Sequence, residues 1–310
     1  MPAISHELSA ISNKTKKMSL KTQLRGTGVA LVTPFKKDLS VDFDALGKVI
    51  DAMIAGGVEY LITLGTTGET PTLEKQEKKD IVNYTFEKVA GRVPVVVGVG
   101  GNNTAELIKD LSYFPLEKAT AVLSAAPYYN KPSQEGIFQH YKTVAEASPK
   151  PVILYNVPGR TGRNMSAATT IRLAHEVANI AGMKEASGDM VQCMEILRDV
   201  PQDFLVVSGD DALAMAQIAC GMDGVISVAA NAFPKQFSDM VRAALNSDMA
   251  TAKKLNDPLL KAYDLMFAEN NPSGVKAFMY EQGLIQNEVR LPVVPLSSGL
   301  HDAVKKYLGK

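Results

Sequence analysis

Eight short runs of Val, Ile and Leu recur along the chain, and each is apolar throughout rather than alternating. They are Gly28–Thr33, Val58–Leu64, Pro94–Val99, Ala121–Ala125, Val152–Asn156, Ile180–Lys184, Leu205–Ser208 and Gly224–Val228. A strand with no polar face has to be covered on both sides, which is the condition of strands in a parallel sheet. Amphipathic stretches lie between them, among them Phe43–Ala55, Glu74–Val89, Thr104–Tyr113, Gln134–Glu146 and Ala167–Val177. Helix starts are expected at Thr70-Pro71, at Asn103 with Glu106 three residues on, and at Ser133, Ser166 and Asp210. Eight strands, each followed by a helix, predict a (β/α)8 TIM barrel over residues 22–233. An open doubly wound sheet is the alternative. It usually carries a glycine-rich phosphate turn after its first strand, and Val32-Thr33-Pro34-Phe35 is not one.

Past Val228 the pattern changes. Residues 234–310 contain no strand signal, and Asn270-Asn271-Pro272 and Leu291-Pro292 to Pro295 interrupt helical stretches. A C-terminal helical appendage is expected there. Residues 1–21 are polar, with basic residues at Lys14, Lys16 and Lys17, and read as a disordered N-terminal extension, with Met18 as an alternative start.

Charge and cysteine content narrow the function. Thirty-three basic residues balance 33 acidic ones, which argues against a nucleic-acid partner. No apolar run approaches membrane-spanning length. Cys193 and Cys220 form neither a metal spacing nor a disulfide framework, which suits a reducing cytoplasm. The histidines His6, His140, His175 and His301 are scattered, so no metal site is expected.

Chemistry in a βα barrel sits at the C-terminal ends of the strands. Six polar segments fall there: Gly65-Thr66-Thr67-Gly68-Glu69, Pro127-Tyr128-Tyr129-Asn130-Lys131-Pro132, Tyr155-Asn156-Val157-Pro158-Gly159-Arg160, Lys184-Glu185-Ala186, Ser208-Gly209-Asp210-Asp211 and the last strand with Ile226. Lys184 closes the apolar run Ile180-Ala181-Gly182-Met183, where an ammonium is poorly tolerated. An amine with the ordinary lysine pKa costs about 4.6 kcal/mol to deprotonate at pH 7, and burial is a direct way to reduce that cost. A neutral strand-end amine attacks carbonyls and forms Schiff bases. That chemistry moves protons, and Tyr155, ending the preceding strand, offers a phenol for the work. Thr66 and Thr67 sit in a tight turn between glycines, where their hydroxyls relay protons or hold a carboxylate. Arg160 presents a planar fork that matches a carboxylate. Each residue also has a structural reading: Gly-Thr-Thr-Gly as a turn, Tyr128-Tyr129 as loop packing, Tyr155 as a barrel-lining aromatic, Arg160 as a surface cation, and Lys184 as a strand end that reaches water. The convergence on one rim favours the functional set. Lys276, in a helical context, is read as structural.

The motifs Gly65-Thr66-Thr67-Gly68-Glu69, Tyr155-Asn156-Val157-Pro158 and Gly182-Met183-Lys184-Glu185 resemble those of the pyruvate-dependent class I aldolases, the family of N-acetylneuraminate lyase and dihydrodipicolinate synthase. The resemblance runs from about Gly26 to the C-terminus. It implies that Lys184 forms an imine with pyruvate, that Tyr155 is the general acid/base, and that Thr66 and Tyr129 complete a proton relay, Tyr129 in the active site of a neighbouring subunit. Thr67 and the Ile226 backbone would hold pyruvate, Arg160 the second substrate's carboxylate, and Gly209 would lie at the pocket wall. Tyr128-Tyr129 and Arg160 point to the members that condense pyruvate with aspartate-4-semialdehyde on the way to diaminopimelate and lysine. A sugar-acid or 2-keto-3-deoxy-acid lyase on the same barrel is the alternative, and a non-catalytic ligand-binding barrel a third reading. The resemblance further implies a cytoplasmic homotetramer, a dimer of tight dimers, that needs no cofactor. Thr70, Asn102, Glu106 and Tyr128 match a site where some members bind lysine as a feedback inhibitor. Sensitive bacterial forms carry histidines where this chain has Lys75 and Lys78, and cations there oppose an incoming ammonium, so weak or absent inhibition is expected.

Overall fold

A computed structural model describes residues 18–310. Its eight strands are β1 (Gly26–Ala30), β2 (Tyr60–Thr63), β3 (Val95–Gly98), β4 (Ala121–Ala125), β5 (Val152–Asn156), β6 (Ile180–Glu185), β7 (Leu205–Ser208) and β8 (Gly224–Ser227). They form a closed barrel in chain order, every neighbouring pair parallel. The fold expected from the eight apolar runs is the fold observed. Closure joins β1 to β8, with Gly26 opposite Gly224. The two backbones touch there: a Cβ on Gly224 would lie 2.0 Å from the Gly26 carbonyl oxygen, so only glycine permits that approach.

Inside the barrel, Ala30, Tyr60, Ile62, Val96, Ala121, Leu123, Ile153, Tyr155, Leu205, Val207 and Ile226 pack as one cluster. Larger clusters lie between the strands and the surrounding helices. Both faces of each strand are therefore buried, which is why the strands read as continuous apolar runs.

Several strand ends shift by one to three residues from the sequence reading, and the differences near the start of the chain have a structural reason. The first strand begins at Gly26 and ends at Ala30, whereas Gly28–Thr33 was expected. Leu31 and Val32 are buried beyond it. Asn231 takes the place of a strand partner, its Oδ1 accepting from Val32 N at 3.2 Å and its Nδ2 donating to Ala30 O at 2.8 Å. At the other mouth, Leu20–Gln23 form a short helix, α1, capped by Ser19. Leu20 and Leu24 join the inner-barrel cluster, so the chain is ordered before Lys21. The rest of the expected extension, residues 1–17, lies outside the described residues.

Between β1 and β6 the flanking helices are α2 (Phe43–Ala55), α3 (Lys75–Val89), α4 (Thr104–Tyr113), α5 (Gln134–Ala147), the short α6 (Pro158–Thr161) and α7 (Ala167–Glu176). The side chains of Asn103, Ser133 and Ser166 accept from the first amides of their helices, as expected. Glu106 does not close a reciprocal box; it pairs with Lys109 at 2.6 Å. Asp210 Oδ1 accepts from Ala212 N and Leu213 N, one turn ahead of α9 (Ala214–Ala219). Thr70-Pro71 does not open α3. It forms a single 3-10 turn, and Glu74 caps α3 in a reciprocal box with Glu77.

The remaining helices are α8 (Met190–Asp199), α10 (Pro234–Leu245), α11 (Met249–Asn256), α12 (Leu260–Phe267), α13 (Ser273–Glu281) and α14 (Ser298–Tyr307). Helix α10 was expected to begin the appendage. Instead its buried Phe237, Met240, Val241 and Ala244 pack in the same cluster as Val29 of β1 and Val225 of β8, so it completes the eighth βα unit. The helices beyond Leu245 pack onto it, with Tyr307 edge-on to Phe233 and Phe278. Among the described residues no helix is long and apolar enough to cross a membrane.

Candidate active site

Strand register places Tyr155 of β5 directly beside Lys184 of β6. Both are buried, at 7% and 4% exposure, and the lysine Nζ lies 4.3 Å from the tyrosine ring centroid. On its other side Lys184 is registered with Val207. Gly209 follows β7, where a Cβ would lie 2.8 Å from Lys184 Cε and 2.6 Å from Ala186 Cβ. The amine is thus walled by a phenol on one strand and a bare backbone on the next. Ile226 belongs to the same inner cluster as Tyr155.

The turn after β2 is held under strain. Leu64 and Glu69 bracket Gly65–Gly68 and both have positive φ, 58° and 53°. Residues of that kind in left-handed backbone are sustained by surrounding contacts. Here Thr70 Oγ1 donates to Gly65 O at 2.8 Å, Thr33 Oγ1 donates to Gly68 O at 2.7 Å, and the Glu69 carboxylate is tied down from afar. Lys276 Nζ of α13 donates to Glu69 Oε1 at 2.5 Å and to Glu288 O at 2.9 Å, and Arg290 N donates to Glu69 Oε2 at 2.9 Å. Both charged side chains are almost wholly buried. Burial pushes the Lys276 amine down to about 8, against the opposing pull of Glu69. Thr67 is buried and Thr66 partly so.

A second buried network sits behind Lys184. The Glu185 carboxylate, 0% exposed, accepts from Ser187 N at 2.6 Å, from Gln192 Nε2 at 3.0 Å and from Asn156 Nδ2. Asn164 joins Asn156 to Gln192. These bonds lock the ends of β5 and β6 together, and with them the Tyr155–Lys184 pair. Asp211 does the same for β8, accepting from Val228 N and Ala229 N.

Arg160, on α6, is exposed, and its Nη2 donates to Asn271 O at 3.3 Å. Tyr128 and Tyr129 project outward, 46% and 89% exposed, and Tyr129 and Lys131 both have positive φ. Asn102 Nδ2 donates to Tyr128 O at 3.4 Å. An open cleft lined by Ser19, Lys21, Thr22, Arg25, Gln202 and Asp203 lies at the opposite mouth, before β1 and β7, and takes no part in this arrangement.

Residues 23–310 match the dihydrodipicolinate synthetase family. The chain belongs to that family. A 4-hydroxy-tetrahydrodipicolinate synthase of Flavobacterium psychrophilum is 50% identical over 288 residues, covering 92% of this chain and 98% of its own. One of Parabacteroides distasonis is 47% identical over 285 residues, covering 92% and 96%. Among solved structures, the dihydrodipicolinate synthase of Acinetobacter baumannii, crystallised with pyruvate, superposes with a TM-score of 0.89 at 39% identity, covering 92% of this chain and 98% of that one. Three parts of this arrangement were missed by sequence reasoning. The Glu69–Lys276 pair and the Thr67–Asn271 contact join residues 207 and 204 positions apart. Glu185 stood in a quoted motif but carried no role. Its signal was a second charged residue inside a buried strand.

Proposed function

We propose that this chain condenses pyruvate with aspartate-4-semialdehyde, as a 4-hydroxy-tetrahydrodipicolinate synthase. The observation that carries the reading is the buried pairing of Lys184 with Tyr155 on adjacent strands. Lys184 Nζ adds to the keto carbon of pyruvate, and loss of water leaves the imine. Removal of a methyl proton gives an enamine, whose carbon attacks the aldehyde. The amine of the second substrate then displaces Lys184 as the ring closes, which frees the lysine for another cycle. Tyr155 carries the protons, with Thr66 and Tyr129 as its relay. Thr67 and the Ile226 backbone hold the keto-acid carboxylate, Arg160 holds that of the aldehyde, and Gly209 leaves room for the imine.

Tyr129 serves a neighbouring copy, in a homotetramer built of tight dimers. Its exposure and its left-handed backbone support that reading, since strain of this kind concentrates at functional sites. The enzyme works in the cytoplasm without a cofactor.

Borohydride reduction in the presence of pyruvate, followed by intact mass and peptide mapping, tests the chemistry. Label on Lys184, lost in Lys184→Ala, is the expected result, with turnover falling roughly 10²–10⁴-fold in Tyr155→Phe. Label elsewhere, or none, sinks the reading.

Thr70, Asn102, Glu106 and Tyr128 are expected to give weak or no lysine inhibition in this chain. Lys75 Nζ pairs with Asp110 at 2.7 Å and lies 4.7 Å from the Tyr113 ring centroid, and Lys78 is half-buried beside both charges. Lys109 and Lys75 also act on Glu106, so cations already neighbour the carboxylate that would meet a ligand ammonium. Titration of the enzyme with L-lysine should leave activity intact through the micromolar range.

A further inference from the structure

Asn271 lies 204 residues from Thr67 in sequence, yet its Nδ2 donates to Thr67 Oγ1 at 3.1 Å. The asparagine is 6% exposed, and its Oδ1 is buried with no partner among the described residues. Its main-chain carbonyl accepts from Arg160 Nη2 at 3.3 Å. One residue from the C-terminal region therefore touches both groups assigned to substrate carboxylates. A hydroxyl that accepts a hydrogen bond has its own hydrogen left to give. With the amide N–H occupying an acceptor position, Thr67 is set as a donor, the form a carboxylate needs.

We infer that Asn271 is a positioning residue, holding the Thr67 hydroxyl as a donor to the keto-acid carboxylate through its side chain and steadying Arg160 through its backbone. The inference rests on the functional reading of Thr67 and Arg160 given above. The two roles separate by mutation. Asn271→Ala removes the amide and keeps the carbonyl. Asn271→Asp keeps the shape but can only accept, so it takes the Thr67 hydrogen for itself and adds a charge that repels the substrate.

The test is borohydride trapping of the full-length enzyme over a range of pyruvate concentrations, with steady-state rates against aspartate-4-semialdehyde alongside. Half-saturating pyruvate should rise roughly three- to tenfold in Asn271→Ala, the scale of one hydrogen bond between neutral groups, and further in Asn271→Asp. Half-saturating aldehyde should stay within about twofold of wild type in Asn271→Ala, because the carbonyl contact survives. The Asn271→Ala, Thr67→Val double variant should bind pyruvate no worse than Thr67→Val alone, since both changes act through one hydroxyl. Unshifted pyruvate dependence in Asn271→Asp, or additive losses in the double variant, overturns the inference. Should the alanine variant not fold, the isosteric aspartate variant decides alone. Absence of label on wild-type Lys184 would overturn the functional reading and this inference together. Label on the wild type with unshifted variants overturns the inference only.

Discussion

Gly209 shows how little freedom the reactive amine has. A methyl group there would meet Lys184 Cε at 2.8 Å, Ala186 Cβ at 2.6 Å and the Glu185 carbonyl oxygen at 3.2 Å. Two of these three neighbours cannot swing away, so the lysine has to move. Gly209→Ala should cost about 1–3 kcal/mol of stability, the range for overpacking a close-packed site. The loss in trapping rate should be larger, roughly 10²-fold, because small misplacement of a reacting group is enough for that. Thermal melting and the rate of pyruvate trapping, measured on one preparation, separate the two effects; a trapping rate equal to wild type would count against Gly209 as the wall. Lys184, Tyr155, Thr66 and Thr67 could be picked out of the sequence because each is polar at the end of an apolar run. Asn271 and the partner of Glu69 could not. Their contacts depend on chain closure over some 200 residues, and nothing in the local spacing of Asn270-Asn271-Pro272 or Val275-Lys276-Ala277 announces them.

Helix α1 is only four residues long and carries no periodicity a sequence reading could use. It nevertheless puts Leu20 and Leu24 against the inner barrel cluster. Leu24 is 0% exposed, so Leu24→Ala should destabilise the barrel by about 2–5 kcal/mol, read as a lower urea midpoint with an unchanged slope. The strands were legible for the opposite reason: burial on both faces left no polar position to blur the pattern, except where Asn231 substitutes for a strand beyond Ala30. The packing of α5 on α4 supplies a pH dependence. His140 bonds through Nδ1 to Thr104 at 2.8 Å, and burial pushes its imidazole down to about 4 from the ordinary 6.5. Between those values the unfolded chain takes up a proton that the folded chain refuses. Stability from this group is therefore full above pH 6.5 and is lost as pH falls toward 4, by up to roughly 3 kcal/mol. Asp211 acts in the other direction. Burial raises its carboxyl to about 6, which favours the folded state as pH falls. The His140 contribution is isolated by comparison with His140→Gln, whose urea midpoint should drop less between pH 7 and pH 4.5 than that of wild type.

At the scale of the assembly, the reading turns on where Tyr129 works. Its 89% exposure and positive φ leave it with no evident structural role within its own subunit. If it completes the relay of a neighbour, then Lys184→Ala and Tyr129→Phe damage different copies of the site. Each variant alone has two defective sites per tight dimer. In a mixed dimer, the subunit that keeps Lys184 receives an intact Tyr129 from its partner, so one site is whole. The other site carries both lesions. Random reassembly of equal amounts makes about half the dimers mixed, so activity should return to about a quarter of wild type. Mixing after partial denaturation, with the two chains distinguished by mass, measures both the mixed fraction and the recovered rate. A relay confined to one subunit gives a different result: every site in every mixture keeps its own lesion, and activity stays at the average of the two variants. Recovery in proportion to the mixed fraction is therefore the outcome that places Tyr129 across the interface.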